Sequence, residues 1–245
     1  MSFPGTSIWP KHAKSSLEVH SLGVVDFRSA IELQDRIAYE IQGRQDRLGT
    51  VLLYETPPVI TVGREGSYAD FEIEREELSK RLIDVHWLPR GGGSQVHLPG
   101  QICVSVILPL ERLDLGVVEY RSLLEQSAAR ACQDMKVAVE VRNSRILSRT
   151  GQVGAVGILV KSGVTHYGLT LNVQPNLDLL RMCGTGDDED RHSSLAADRM
   201  KHMPMNGVRE SLVRHLTEAF HYETRHWYTG HPLLTRTKKK VHVYS

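Results

Sequence analysis

The chain reads as an α+β protein: a mixed β-sheet with helices packed on it, forming a single domain. Three observations predict this. The run Ile102-Cys-Val-Ser-Val-Ile-Leu108 is apolar almost without interruption, as expected of a central strand buried on both faces. Phe27, Ala30, Ile31, Ile37, Ala38 and Ile41 recur at helical spacing, and Val117, Tyr120, Leu124, Ala128 and Ala131 do so again. Gly151 to Lys161 and Val164 to Val173 read as two strands of a hairpin turned at Ser162-Gly163.

Taken in order, residues 1–16 are a loose polar leader, and Leu17 to Val25 reads as a strand. Asp26 is a good N-cap for the first helix. A polar turn over 43–49 leads to a short buried strand, Thr50 to Glu55. Pro57-Pro58 breaks it, and an extended run from Val59 to Val62 ends at Gly63-Arg64. Glu72 to Leu82 is a charged helix, and Asp84 to Leu88 is extended. After the central strand come the helix Val117 to Met135, a strand Val137 to Val141 and the hairpin. Leu177 to Leu180 is a short helical turn leading to Met182-Cys183-Gly184. An acidic run, Asp187 to Asp190, precedes a last helix from about Gly207 to His221 with Val208, Leu212, Leu216 and Phe220 on one side. We find no repeat and no linker, so residues 17–230 are expected to form one catalytic domain and 231–245 a basic tail ending in Lys238 to Lys240.

Composition narrows the function. The 245 residues are 40 % hydrophobic and 24 % charged, ordinary for a soluble globule. A formal charge of +1 supplies no field for nucleic acid or an anionic membrane, and neither is expected as a partner. No apolar run approaches the roughly 20 residues that span a bilayer. The first fifteen residues lack a signal core and make a poor transit peptide. Three cysteines, at 103, 132 and 183, are odd in number and unevenly spaced, which favours free thiols in a reducing compartment. The expected location is the cytoplasm.

The most informative stretch is Arg90-Gly91-Gly92-Gly93-Ser94-Gln95-Val96-His97, followed by Leu98-Pro99-Gly100-Gln101. Three consecutive glycines cost backbone entropy, which a chain accepts where φ is positive or something approaches the main chain closely. With a cation and an imidazole bracketing bare N–H groups, the bend suits a thioester, carboxylate or phosphate; by itself it is equally a glycine-rich turn. Cys103 on its strand and Cys132 on its helix read as packing residues. The acidic run beside His192 reads as a solvated loop, so no metal and no cofactor is expected.

Five stretches in this order resemble the lipoyl(octanoyl) transferases: Gly23-Val-Val-Asp-Phe-x-x-Ala-Ile-x-Leu-Gln34, Glu55-Thr-Pro-Pro-Val-Ile-Thr-Val-Gly-Arg64, Arg90-Gly-Gly-x-x-x-x-His-x-Pro-Gly-Gln101, Val164-Thr-His-Tyr-Gly-Leu-Thr-Leu-Asn-Val173 and Cys183-Gly184. The resemblance covers residues 17 to 185 and implies the fold of the biotin and lipoate protein ligases. It implies transfer of an octanoyl group from acyl carrier protein to a lysine of lipoyl domains, those of 2-oxoacid dehydrogenases and of the glycine cleavage H protein. Cys183 matches the nucleophile that carries the acyl group as a thioester. The bend 90–97, Ala155-Val156-Gly157 and Gly168-Leu169-Thr170 match the segments that line the substrate, and the family suggests a monomer.

Three departures stand out. The family has a lysine where this chain has Gln152, at the start of Gln152-Val-Gly-Ala-Val-Gly157. An ammonium lowers a neighbouring thiol's pKa and moves protons; an amide does neither. The family usually has histidine directly before the glycine of Gly168, where this chain has Tyr167 after His166, and the proline usually found before the cysteine is replaced by Met182. Of the conceivable substitute cations Lys161, His97 and His166, His97 is the better placed. The alternatives are a non-catalytic relative that binds acyl carrier protein or lipoyl domains, and an ATP-dependent lipoate ligase.

Overall fold

The computed structural model describes residues 15–71, 73–182 and 191–234. Eight strands form a mixed sheet in the order Thr224–Thr229, Ser16–Val24, Gly49–Glu55, Gln101–Ile107, Val164–Asn172, Gly151–Lys161, Arg145–Ser148 and Val139–Arg142, and three form a smaller sheet, Asp84–Trp87, Val59–Val62 and Ser94–His97. The large sheet starts with Ser16–Val24 (β1), Phe27–Gln42 (α1) and Gly49–Glu55 (β2). β1 and β2 pair in parallel, so a long crossover must join them, and α1 is that crossover. Asp26 caps it as its sequence suggests, its carboxylate accepting the Ser29 N–H at 3.1 Å. The buried stripe of α1 is Phe27, Ala30, Leu33, Gln34, Ile37, Ala38 and Ile41, so Leu33 and the polar Gln34 join the apolar positions read from the sequence.

The small sheet consists of Val59–Val62 (β3), Asp84–Trp87 (β4) and Ser94–His97 (β5), with the helix Arg75–Lys80 (α2) between the first two. Its own core gathers Ile60, Val62, Leu78, Ile83, Val96, Leu98 and Leu180. Gln101–Ile107 (β6) is the central strand anticipated, and every residue of it is buried. Its alternation divides the two faces: Ile102, Val104 and Val106 join one core, whereas Cys103 and Ile107 join the core beneath α1.

Val117–Asp134 (α3) and Met205–Ala219 (α6) cover the first face. Val117 proves exposed, and the inward stripe of α3 runs from Tyr120 through Leu124, Ala128 and Ala131 to Cys132. The sheet continues through Val139–Arg142 (β7), Arg145–Ser148 (β8), Gly151–Lys161 (β9) and Val164–Asn172 (β10). Leu177–Met182 (α4) and Leu195–Arg199 (α5) precede α6, and Thr224–Thr229 (β11) adds a parallel edge strand against β1.

Four elements are absent from the sequence reading. β5 lay within what was read as a turn, because its four residues follow three glycines. β8 is a short return strand after the two-residue turn Asn143-Ser144, whose positive φ values build the reversal. α5 has five residues, too few to show a period, and β11 is exposed throughout, so it carries no buried alternation. Among the described residues no helix is long and apolar enough to cross a membrane, and no cluster of three or more metal-ligating side chains occurs. The acidic run Asp187 to Asp190 lies outside the described residues, as do most of the leader and the basic tail.

Candidate active site

A cleft runs along the α1-side face of the large sheet, roofed by the small sheet. Its inner half is lined by Phe27, Tyr54, Thr61, Leu88, Arg90, Gln95, His97, Cys103, Tyr167 and the strand segment Gly168-Leu169-Thr170, with Gly157 opposite. It is narrow, with ≈ 330 Å³ of non-atom space even when its open side is counted. An outer half, with ≈ 270 Å³ counted the same way, adjoins it at Gln95 and Thr170 and is lined by Val96, Gln101, Gln152, Gly154, Ala155, Asn172, Leu180 and His192. Leu180 lies in α4, whose last residue, Met182, directly precedes Cys183. Cys183 itself lies outside the described residues.

The glycine bend is positioned from both sides. The Gly91 N–H donates to the Ile158 carbonyl of β9 at 2.9 Å, and the Gly92 N–H donates to the Glu65 carboxylate at 3.3 Å. Two of the N–H groups expected to be bare are therefore occupied, which corrects the idea of an open anion cradle. What the glycines provide is closeness. A Cβ on Gly63 would stand 2.2 Å from the Gly92 oxygen, and one on Gly157 would stand 3.1 Å from the Gly91 oxygen. Gly92 alone of the three has a positive φ, +80°. Gly91, Gly92, Gly93, Ser94 and Val156 face broad grooves on the outer side of the bend.

Arg90 is buried, and its donors point into the protein. It donates to the Gly91 oxygen at 3.0 Å and to the Thr61 carbonyl and hydroxyl at 3.2 and 2.8 Å. Burial lowers its pKa to about 10, so it stays charged at neutral pH and braces the bend against β3. The Thr61 hydroxyl lies 2.9 Å from His97 Nε2, and His97 Nδ1 lies 3.4 Å from the Cys103 sulfur. Arg90, Thr61, His97 and Cys103 thus form one hydrogen-bonded chain from the bend to the central strand. Burial, with Arg90 adding to it, lowers the His97 pKa to about 3. Burial raises that of Cys103 to about 12. The ring is neutral and the sulfur is a thiol, so the pair is no thiolate nucleophile, and His97 supplies no cation.

A second network supports the outer half. Gln101 accepts the Leu98 N–H at 2.5 Å and donates to the Val96 oxygen at 3.1 Å and the Asn172 side-chain oxygen at 2.7 Å. Asn172 donates in turn to the backbone oxygens of Gln152 and Ser193 at 3.2 and 2.9 Å. Gln152 bridges in parallel to His192, and Arg181 of α4 donates to the His192 oxygen at 3.0 Å. The segment after Cys183 therefore returns to the cleft beside Gln152. Lys161 is exposed at the other end of β9. His166 packs beside α1, 3.8 Å from Asp35, and Tyr167 rather than His166 lines the cleft. His192 is the one titratable side chain among the described residues lining the outer half. In the sequence it stands only beside an acidic run, and the fold alone sets it next to Gln152.

The frame is thus an α+β domain, a mixed sheet roofed by a smaller one over a narrow cleft lined in part by small residues. Residues 26–220 match the family described as the lipoyl protein ligase A/B catalytic domain, and the chain belongs to it. It is 34 % identical to an octanoyltransferase of Roseiflexus sp. over 85 % of this chain and 89 % of that one. It is 29 % identical to a mitochondrial octanoyltransferase of Arabidopsis thaliana over 92 % of this chain and 97 % of that one. In fold it is similar to a lipoate-protein ligase A bound with ATP, with a TM-score of 0.72 and 14 % identity over 90 % of each chain.

Proposed function

We propose that the protein is an octanoyltransferase in protein lipoylation that works through a thioester on Cys183. The observation that carries this is the near full-length similarity to octanoyltransferases, at 29 and 34 % identity. In the first step the Cys183 thiolate attacks the carbonyl carbon of an octanoyl thioester on acyl carrier protein. The C–S bond to the carrier breaks, and the carrier thiol leaves with a proton. In the second, the ε-amine of a lipoyl-domain lysine attacks the new thioester, an amide forms, and the cysteine sulfur departs. Splitting the transfer lets two carrier proteins use one site in turn.

Lipoyl domains of 2-oxoacid dehydrogenases and the glycine cleavage H protein are the proposed acceptors, and a monomer in the cytoplasm is the proposed form. The buried free thiols of Cys103 and Cys132 suit a reducing compartment. One relative of this chain is described as mitochondrial.

Gln152 bears on rate. It lines the outer cleft where the family has a lysine, and an amide neither lowers a thiol's pKa by its charge nor moves a proton. Even an unassisted cysteine is a few per cent thiolate at neutral pH. The test is to mix the protein with octanoyl-acyl carrier protein and weigh it. One octanoyl mass on the wild type and none on Cys183→Ala supports the assignment; no adduct, or an equal adduct on the variant, ends it. Gln152 also favours a second reading, a relative that binds these carriers without transfer. Turnover that begins only with Gln152→Lys would establish it, and robust turnover by the unmodified chain would remove it.

A further inference from the structure

Tyr167 carries backbone strain inside a strand. Nine residues other than glycine have positive φ among those described, and eight of them sit in turns. Tyr167, at φ 62°, lies inside a strand, with its pairing to Ile158 intact. A bulky side chain there is a genuine outlier. Such a conformation costs on the order of 1–3 kcal/mol and persists only where the surroundings over-determine it. Here Gln34, wholly buried in α1, accepts the Tyr167 N–H at 2.7 Å. The effect is to break strand alternation, so that the Tyr167 side chain joins Phe27 in the cleft while its neighbour His166 also lies beside α1.

The position along β10 gives this a purpose. Asn172 marks the outer half, next to Gln152 and Leu180; Thr170 lies where the halves meet; Tyr167 stands at the inner end. Three residues of strand, from Thr170 to Tyr167, span about 10 Å. A fully extended eight-carbon chain measures about 9 Å on covalent dimensions. The stretch of β10 that lines the inner half is thus about as long as an octanoyl chain, and Tyr167 closes it at the end away from Gln152. Burial, with Asp35 adding to it and Arg90 opposing, raises the pKa of its hydroxyl to about 12, so the wall stays neutral.

We infer that Tyr167 sets the length of the acyl chain this protein accepts, acting as the stop against which the last methyl group rests. The inference rests on the acyl-transfer reading but is tested apart from it. Tyr167→Gly removes the ring and also suits the positive φ, so relief of strain offsets part of the lost packing and the variant should keep the wild-type circular dichroism spectrum. Two length series, from six to fourteen carbons, are measured on the wild type and the variant. One follows acyl adducts formed from acyl-acyl carrier proteins by mass; the other follows binding of the free carboxylates by calorimetry.

The wild type should fall off beyond eight carbons. Each further methylene buried in the variant is worth about fourfold, so Tyr167→Gly should improve twelve carbons relative to eight on the order of a hundredfold. Tyr167→Phe, which restores the ring, should bring the cut-off back. An unchanged length profile in Tyr167→Gly overturns the inference, even if adducts form normally and the transfer reading stands. A shifted profile for the carboxylates with no adduct on any protein keeps the stop and removes the transfer. A wild type that neither forms adducts nor binds carboxylates removes both.

Discussion

The two walls of the cleft are built on different principles. The small-sheet wall is polar and braced: Arg90, Thr61 and His97 spend their hydrogen bonds on backbone and on one another. The large-sheet wall has bare stretches: between larger side chains such as Tyr54, Thr170 and Gln152, Gly154, Ala155, Gly157 and Gly168 leave the sheet's own backbone at the surface of the cleft. The comparison teaches that the room for a ligand comes from one wall and its rigidity from the other. Only the bare wall could be pressed against the glycine bend at 3 Å without a clash.

Substitutions in the two walls should therefore fail in different ways. The largest effect is expected from Arg90→Ala. It strands the Thr61 and Gly91 oxygens, and unsatisfied buried groups cost about 1–3 kcal/mol each. A loss near 3 kcal/mol in urea unfolding, together with loss of octanoyl transfer, is the expected result, and a change under about 1 kcal/mol would deny Arg90 its bracing role.

His97 gives the braced wall a pH dependence. Its pKa is about 3 folded and about 6.5 unfolded, so between these values the unfolded chain binds more protons. Stability is then fully present above pH 6.5 and falls as the pH drops toward 3. By linkage this amounts to about 2 kcal/mol between pH 7.5 and pH 5. Unfolding midpoints of wild type and His97→Gln across that range should diverge by this amount, with the variant showing the flatter profile.

On the bare wall, Gly157→Ala places a methyl 3.1 Å from the Gly91 oxygen and 3.2 Å from Arg90. The bend must give by a few tenths of an ångström, and about 1 kcal/mol of overpacking is expected, with a larger fall in octanoyl binding than in stability. The smallest effect belongs to Gly93→Ala. Nothing lies within 4 Å of the added methyl, so stability should stay within about 0.5 kcal/mol of wild type. Together the last two would separate the glycines that permit contact from the one that does not.

Much of the fold was legible because burial imposes a period. The central strand, α1, the inner stripe of α3 and the hairpin of β9 and β10 each announce themselves by apolar spacing. β8, α5 and β11 do not, since short or exposed elements bury too little to show one. At the site, the bend and the small residues of β9 and β10 were visible as composition. Their purpose was misread in one respect, because composition shows that N–H groups exist but not that Ile158 and Glu65 already hold two of them. Cys103 looked like packing, and only tertiary pairing puts it in the cleft against His97.

What the sequence determined alone is local and chemical: the fold class, the segments that approach closely, the family, and the amide at position 152 where an ammonium was expected. What the tertiary structure decided is non-local. Strand order brings Thr61, Arg90, His97 and Cys103 into one chain of hydrogen bonds and sets His192 beside Gln152. One backbone angle at Tyr167 turns a ring into the cleft against the strand's own alternation. Such facts depend on which distant segments meet, and a one-dimensional pattern records spacing along the chain but not the pairing that folding chooses.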